Sequence, residues 1–301
     1  MKDVSGKVAF ITGGGSGVGF GMAQAFCNAG MRVVIADIRQ DHLDTALEHF
    51  ARAGQRAGVH AVRLDVTDRA AMAQAADEAE RTFGNVHLVC NNAGINLFND
   101  IADASYEDWD WVLGINLGGV VNGVRTFVPR LRKHGAGGHI VNTASMAAFI
   151  AGPVAGIYTC SKFAVRGLSE TLRYSLAPHG IGVSVLCPGL VNSAIHESER
   201  IRPARLQGSG APSDPAFLAR LADLHQRAGM PPLEVGDKVL QAIRRNEFYI
   251  FTHPEFKEEL REIFEEALHA LPGEQPPAER LAFEEQRRRL KAQARSSWKS
   301  P

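Results

Sequence analysis

The segment VAFITGGGSGVG, residues 8–19, carries the clearest signal for the fold. Its first five residues are apolar or β-branched and predict a buried strand, and the glycines that follow predict a tight turn. An apolar-periodic run from Val18 to Ala29 then predicts a helix that ends at Gly30. A strand that enters a helix through glycines lets the backbone and the helix N-terminus approach a phosphate group. Because the spacing does not match G-x-G-x-x-G in any register, this interpretation needs support from the rest of the chain.

The same alternation of strand and helix continues as far as residue 190. Strands are predicted at 32–37, 61–66, 86–93, 139–144 and 182–187, and helices at 41–53, 68–83, 105–133 and 158–177. Nearly continuous apolar strands that alternate with helices indicate a parallel sheet that is covered on both faces. We therefore predict an α/β fold: a Rossmann-type doubly wound parallel sheet with helices on both faces, in a single domain with a C-terminal helical extension.

The sequence changes character after this alternation. Residues 193–232 contain prolines and two close glycines, Gly208 and Gly210, and predict a long loop with short helices. A helix is predicted at 235–245, a brief strand at 248–252 and an amphipathic helix at 255–271. The predicted domain thus spans residues 1–271, and residues 272–301 form a polar C-terminal extension.

Composition excludes several classes of protein. Of 301 residues, 45% are hydrophobic and 22% are charged, as in ordinary globular proteins, and Lys+Arg and Asp+Glu both number 33. This balance favours neither nucleic acid nor an acidic membrane as a partner. No apolar run is long enough to span a membrane, no signal peptide is recognisable, and the four cysteines are too dispersed to indicate a disulfide framework or a metal site. We expect a soluble, cytoplasmic protein that binds no metal.

Asp37 supports a dinucleotide site. It ends the second predicted strand, 20 residues after Gly17, where a carboxylate accepts hydrogen bonds from an adenosine ribose. The same carboxylate repels a 2′-phosphate, so NAD is expected and NADP is less favoured. Arg39 is the counter-argument, because an arginine nearby can pair with that phosphate.

Tyr158 and Lys162 are one helical turn apart and supply candidate acid–base chemistry. The unperturbed pKa of tyrosine is about 10. A neighbouring ammonium group, together with a positively charged nicotinamide ring, favours the phenolate, so we expect a lowered pKa for Tyr158. The spacing Y-x-x-x-K is common in helices, and its context therefore carries the argument.

With these residues the chain resembles the short-chain dehydrogenase/reductase family, over residues 5 to about 255. The matching motifs, in order, are the turn Thr12–Gly19, Asp65-Val66, Asn91-Asn92-Ala93-Gly94, Asn116, Ser145 thirteen residues before Tyr158, Lys162, and Pro188-Gly189 with Val191 and Ser193. Ser193 stands where threonine is usual in the family and keeps the hydroxyl group. The resemblance implies a dehydrogenase, and it implies a homotetramer or homodimer.

The resemblance also implies roles for the site residues. The catalytic residues would be Ser145, which holds the substrate oxygen; Tyr158, which exchanges its proton; Lys162, which binds the nicotinamide ribose and lowers the tyrosine pKa; and Asn116, which anchors a water chain. The residues expected to bind the cofactor are Gly13, Ser16, Gly17, Val18, Gly19, Asp37, Asp65, Val66, Asn92, Ala93, Gly94, Tyr158, Lys162, Pro188, Gly189, Val191 and Ser193.

A narrower likeness concerns the Cα-dehydrogenases of lignin aryl-ether catabolism, which oxidise benzylic secondary alcohols with NAD. It rests on the runs 105–111 and 199–204 and on the C-terminal extension. Apolar side chains next to the catalytic positions predict a substrate pocket formed by Phe98, Met146, Phe149, Pro153 and Ile195. Because 193–232 is long for a connection, it is predicted to be a substrate-binding lid.

The predicted function is the NAD-dependent interconversion of a bulky, largely apolar secondary alcohol, expected to be aromatic, and its ketone. One alternative is an NADPH-dependent carbonyl or 3-oxoacyl-carrier reductase, against which Asp37 argues. Another is a non-catalytic NAD-binding regulatory protein, against which the presence of Ser145, Tyr158 and Lys162 argues. A sugar-nucleotide epimerase is disfavoured by the short 193–232 insertion. Three histidines, His179, His196 and His253, lack ligand-like spacing and are expected at the surface.

Overall fold

The computed structural model describes residues 1–208, 210 and 212–296. Seven strands form one parallel sheet in the order β3-β2-β1-β4-β5-β6-β7, which confirms the predicted doubly wound fold. The strands are β1 (Val8–Thr12), β2 (Arg32–Asp37), β3 (Val59–Arg63), β4 (Val86–Asn91), β5 (Gly138–Thr143), β6 (Ile181–Cys187) and β7 (Tyr249–Phe251). The third strand begins and ends earlier than predicted.

Helices cover both faces of the sheet. They are α1 (Gly17–Asn28), α2 (Gln40–Arg52), α3 (Arg69–Phe83), α4 (Tyr106–Leu113), α5 (Val120–His134), α6 (Gly156–Leu176), α7 (Pro215–Ala228), α8 (Pro232–Arg245), α9 (Lys257–His269) and α10 (Ala278–Ser296). Alternate residues of each strand face opposite sides, so two apolar cores form. Phe10 and Phe127 belong to one core, and Ile11, Phe26 and Val239 belong to the other.

The prediction of one continuous helix at 105–133 is wrong. The structure has α4, one π-helical turn at Gly114–Gly119, and α5. The glycines of this turn weaken a regular helix, and a Cβ atom at Gly119 would lie 2.6 Å from Cγ2 of Val66. The extra residue of a π turn rotates the chain that follows it, and such turns are frequent at functional sites.

The segment 193–232 contains more regular structure than predicted. Short 3₁₀ turns at Ile195–Ile201 and Ala204–Leu206 precede the 14-residue helix α7. The Asp214 carboxylate accepts a hydrogen bond from Ala216 N at 3.0 Å and caps this helix, whose first residue is Pro215. Residues 209 and 211 of the predicted lid, and 297–301 of the predicted C-terminal extension, lie outside the described residues. The described part of the extension contains α10, whose residues 278–293 are exposed.

Candidate active site

A cavity of about 870 Å³ lies at the carboxyl ends of the strands. It opens beside the boundary between β1 and β4, where the strand order changes direction. In doubly wound sheets this crevice is the usual place for a ligand. Asp37 at the end of β2, Thr143 at the end of β5 and Pro188 after β6 all line the cavity.

The glycine turn forms one wall of the cavity. Gly13 has φ +62°, and a Cβ atom there would lie 2.9 Å from Cα of Ala93. Gly17 has φ +49°, a left-handed conformation that favours glycine. Ser16 is the N-cap of α1, and its side chain makes no capping hydrogen bond. The turn therefore offers unpaired N–H groups and a hydroxyl to the cavity, and it fits the pyrophosphate of a dinucleotide.

Gly19 has a different place from its neighbours. Gly13, Ser16, Gly17 and Val18 line the cavity, but Gly19 does not. A Cβ atom at Gly19 would lie 2.0 Å from the Gly13 carbonyl oxygen, so the missing side chain permits close packing of the turn against α1. The prediction that Gly19 contacts the cofactor directly is not supported by this geometry.

Asn92 joins three strand ends. Its Nδ2 donates to Thr12 O at 3.1 Å and to Gly13 O at 3.3 Å, and Thr143 Oγ1 donates to its Oδ1 at 3.1 Å. Thr12 Oγ1 in turn accepts hydrogen bonds from the backbone N–H groups of Asn92 and Ala93. Asn92, Ala93 and Gly94 line the cavity, and these bonds hold the glycine turn against the strands behind it.

The Asp37 carboxylate lies at one end of the cavity and is largely buried. Its Oδ2 accepts a hydrogen bond from Gly15 N at 3.2 Å, and its Oδ1 accepts one from Arg39 N at 3.1 Å. Burial raises the pKa of Asp37, while these two hydrogen bonds favour the charged form. Each oxygen retains capacity to accept a further hydrogen bond, as from a ribose hydroxyl.

Asp65 and Val66 also line the cavity. The Asp65 carboxylate closes a turn, because its Oδ1 accepts hydrogen bonds from Thr67 N at 2.9 Å and Thr67 Oγ1 at 2.7 Å. The Val66 carbonyl oxygen accepts from Asn122 Nδ2 at 2.8 Å. Asn122 was missed at the sequence level, where nothing distinguishes it from any other polar helix residue.

Tyr158 and Lys162 project from the first turns of α6 into the cavity. The Lys162 ammonium lies 5.1 Å from the centre of the Tyr158 ring and donates to Thr143 O at 3.0 Å. Burial raises the pKa of Tyr158 to about 12, and a hydrogen bond with Ser145 opposes this only in part. Burial lowers the pKa of Lys162 to about 8. In this structure desolvation therefore outweighs the pKa lowering that was expected for the tyrosine.

Ser145 begins the 3₁₀ turn Met146–Ala148 after β5 and lines the cavity beside Tyr158. Its Oγ accepts a hydrogen bond from Ala147 N at 3.1 Å, and the hydroxyl also bonds to Tyr158. A hydroxyl held next to the phenol can bind the same substrate oxygen that receives or gives the proton.

Asn116 lies behind the cavity wall, fully buried in the π turn. Its Nδ2 donates to Ile95 O at 2.9 Å and to Ser161 Oγ at 3.0 Å, and its Oδ1 accepts from Ile95 N at 2.9 Å. Both amide hydrogens are therefore used within the protein. The side chain joins the turn to α6 and to the loop after β4.

The loop after β6 brings Pro188, Gly189, Val191 and Ser193 to the cavity. His253, expected at the surface, is buried and holds this loop in place. Gly189 N donates to His253 Nδ1 at 3.0 Å, and His253 Nε2 donates to Leu190 O at 2.9 Å. A Cβ atom at Gly189 would lie 2.6 Å from the Phe256 ring. No sequence spacing links His253 to residues 64 positions away, so the sequence offered no signal for this role.

The other end of the cavity is mostly apolar. Phe98, Met146 and Ile195 line it as predicted, together with Ile95, Trp111, Ile150, Val154, Ile201 and Leu206. The Phe217 ring of α7 lies 5.7 Å from the Phe98 ring, and Phe98 N donates to Ser213 Oγ at 3.0 Å. The segment 193–232 therefore covers this end of the cavity.

Two predicted pocket residues do not line the cavity. Phe149 ends the turn after Ser145, and its ring packs against Phe251 at 5.5 Å and beneath the Arg166 guanidinium at 4.0 Å. Pro153 is exposed, although its neighbours Gly152 and Val154 line the cavity. The prediction used proximity in sequence, which does not determine the direction in which a loop side chain points.

Comparison with known proteins decides the family. The model of the short chain dehydrogenase family matches residues 7–203. The chain belongs to the short-chain dehydrogenase family. This dehydrogenase is 40% identical over 279 residues to the C alpha-dehydrogenase of Sphingobium sp., a match that covers 92% of the chain and 90% of the relative. It is an oxidoreductase of a family that interconverts alcohols and carbonyl compounds and binds a nicotinamide cofactor.

Two solved structures are similar to the dehydrogenase over nearly its whole length. A short chain dehydrogenase/reductase from Burkholderia phymatum in complex with NAD has a TM-score of 0.85 and 36% identity, covering 92% of this chain and all of the other. LigO from Sphingobium sp. has a TM-score of 0.78 and 42% identity, covering 97% and 98% of the two chains.

The described part of the dehydrogenase contains no helix long and apolar enough to cross a membrane. Within the same residues, no group of three or more His, Cys, Asp or Glu side chains is arranged to hold a metal ion.

Proposed function

We propose that this dehydrogenase uses NAD to interconvert a bulky, largely apolar secondary alcohol, of which an aryl carbinol is the best representative, and its ketone. The observation that carries the proposal is one continuous cavity with a buried carboxylate, Asp37, at one end and the apolar end described above at the other. Tyr158 lines the same cavity. The 40% identity to a C alpha-dehydrogenase supports the same substrate class.

The cofactor would be bound at three points in this proposal. Asp37 accepts hydrogen bonds from the adenosine ribose and opposes a 2′-phosphate, which favours NAD over NADP. The glycine turn binds the pyrophosphate, and Lys162 binds the nicotinamide ribose. A bound nicotinamide supplies the acceptor for the hydride that leaves the carbinol carbon.

The proton takes a separate route. The Ser145 hydroxyl holds the substrate oxygen, and the Tyr158 oxygen receives the proton of the alcohol during oxidation or donates it to the carbonyl oxygen during reduction. The Asn116 side chain holds α6 and the loop after β4 together. Because both of its amide hydrogens are engaged in these bonds, the water chain expected at this residue would bind to the main chain of Asn116.

The segment 193–232 acts as a lid in this proposal. It carries Ile195, Ile201 and Leu206 into the cavity, where they would contact the larger substituent of the substrate and exclude water. We also propose that residues 1–271 form the catalytic unit, that 272–301 form an appended extension, and that the dehydrogenase assembles as a homodimer or homotetramer, as is usual in the family.

A substrate series at saturating NAD tests the proposal. We expect much higher kcat/KM for 1-arylethanols and aryl-ether dimers than for 2-propanol or polyols, because each buried CH₂ group contributes about 0.8 kcal/mol, or roughly fourfold in affinity. Parallel reactions with NADP test the coenzyme. A preference for polyols would contradict the substrate class, and equal kcat/KM with NAD and NADP would contradict the role of Asp37.

A further inference from the structure

Arg39 and Glu197 make a contact between the two sides of the cavity. Arg39 precedes α2 at the end of the cavity that contains Asp37, and Glu197 belongs to the 3₁₀ turn 195–201 in the lid segment, 158 residues later. Arg39 Nη1 donates to Glu197 Oε2 at 3.2 Å, and both side chains are 25% exposed. Both residues line the same cavity as Asp37.

The guanidinium of Arg39 has acidic partners on two sides. Its Nε donates to Asp41 Oδ1 at 3.1 Å, and its Nη2 donates to the other oxygen of the same carboxylate. Glu197 takes the remaining terminal nitrogen, Nη1. The Glu197 side chain has a second partner, because Arg200 Nη1 lies 2.9 Å from its Oε1.

This arrangement bears on coenzyme choice. An arginine close to the carboxylate that follows the second strand is the group that pairs with the 2′-phosphate of NADP. The Arg39 backbone N–H bonds to Asp37, so its side chain starts next to the position expected for the 2′ oxygen. A guanidinium pairs well with a phosphate only when two of its N–H groups are available to it. Here the side-on edge of Arg39 pairs with Asp41 and Nη1 pairs with Glu197, so a phosphate would have to compete with two carboxylates for the guanidinium.

We propose that Glu197 is a specificity-determining residue, which withholds Arg39 from the 2′-phosphate of NADP and so links the lid to the discrimination between NAD and NADP. The inference rests on the proposed binding of a dinucleotide in this cavity. It also explains how a chain with an arginine at this position can disfavour NADP. Glu197 acts through Arg39 and contacts no reacting atom.

The expected effect is modest and specific to the 2′-phosphate. A partly exposed ion pair changes an equilibrium by up to about fivefold. Glu197→Gln keeps the shape of the side chain and removes its charge, so its hold on Arg39 Nη1 is weakened. We expect it to tighten the binding of NADPH about three- to fivefold and to leave the Kd of NADH within about twofold of the wild-type value.

The experiment measures binding and not turnover. Nucleotide fluorescence gives Kd for NADH and NADPH, and calorimetry gives Kd for adenosine 2′,5′-bisphosphate and adenosine 5′-monophosphate. The proteins are the wild type, Glu197→Gln, Arg39→Ala and the double variant. Asp223→Asn is the matched control, since it removes one carboxylate of the lid segment that also pairs with an arginine, on the exposed face of α7.

The double variant shows whether Glu197 affects the binding of the 2′-phosphate through Arg39. If Glu197 acts through Arg39, then Glu197→Gln improves binding of the two 2′-phosphate ligands in the wild-type background and has no effect in the Arg39→Ala background. An equal gain in both backgrounds, an equal gain with Asp223→Asn, or an unchanged NADPH-to-NADH ratio would each overturn the inference.

The two proposals fail in different ways. A wild-type protein that binds NADH with no response to Glu197→Gln would refute the role of Glu197 alone. A wild-type protein that binds neither dinucleotide would refute the proposed function and this inference with it.

Discussion

Lys162→Met should stabilise the fold at neutral pH although it removes a residue proposed to be essential for activity. Burial lowers the pKa of Lys162 from its ordinary 10.5 to about 8, so the folded chain binds this proton less tightly than the unfolded chain does. A lysine with a lowered folded-state pKa destabilises the fold at pH values below that pKa. The penalty is relieved as the pH rises from about 8 to 10.5, since stability increases with pH wherever the unfolded state binds more protons.

The magnitude follows from the two pKa values. The difference between 10.5 and about 8 corresponds to roughly 3 kcal/mol, because one pKa unit is worth about 1.36 kcal/mol. Methionine retains most of the buried volume but loses the hydrogen bond to Thr143 O, which costs about 1–1.5 kcal/mol. The variant should therefore be more stable than the wild type by about 2 kcal/mol near pH 7 and less stable by about 1 kcal/mol near pH 10.5.

Urea unfolding of both proteins at the two pH values measures this difference. Lys238→Met on the exposed face of α8 is the control, and its difference from the wild type should not vary with pH in this way. Activity assays on the same preparations should show that Lys162→Met has lost turnover. If Lys162→Met were less stable than the wild type at both pH values by the same amount, the charge of Lys162 would not be a cost of folding.

Three further predictions concern Tyr158, Asp37 and Gly21. Tyr158→Phe should lower kcat by at least about a hundredfold while the Kd of NADH stays within about threefold, because only the acid–base hydroxyl is lost; retention of more than about a hundredth of kcat in steady-state assays would contradict its role. Asp37→Ala should weaken NADH binding about ten- to a hundredfold and narrow the preference for NAD, as measured by fluorescence titration, since charged hydrogen bonds contribute about 1.5–3 kcal/mol each. Gly21→Ala should lower Tm by several degrees in a thermal melt, because the added Cβ atom would lie 1.9 Å from Pro232 O where α1 meets α8; an unchanged Tm would show that the helices separate at little cost.

Local patterns were enough to predict the sheet and the wall of the cofactor site. The strand periodicity, the glycine turn and the carboxylate that ends β2 are each contained in a few neighbouring residues, and the structure brings all but Gly19 of the predicted cofactor residues to one cavity. The capping signal Asp214-Pro215 is equally local, but it was not used, and the segment that contains the 14-residue helix α7 was predicted to be a long loop with only short helices.

The remaining features depend on contacts that no local pattern records. His253 holds the Gly189-Leu190 loop from the far edge of the sheet, and Glu197 reaches Arg39 from a segment 158 residues away. Phe149 is turned away from the cavity by an aromatic cluster that β7 and α9 complete. In each case the partner is determined by the tertiary packing and not by the spacing along the chain.

The pKa values of the acid–base pair, Tyr158 and Lys162, also depend on tertiary packing that the sequence does not record. The spacing Y-x-x-x-K predicted that Lys162 lowers the pKa of Tyr158. Burial instead raises the pKa of Tyr158 to about 12 and lowers the pKa of Lys162 to about 8, and both shifts disfavour the charged forms. Near pH 8 these values correspond to a protonated phenol beside a lysine that is only partly charged. A positive charge brought into the cavity would favour the phenolate most strongly here, where little water screens it.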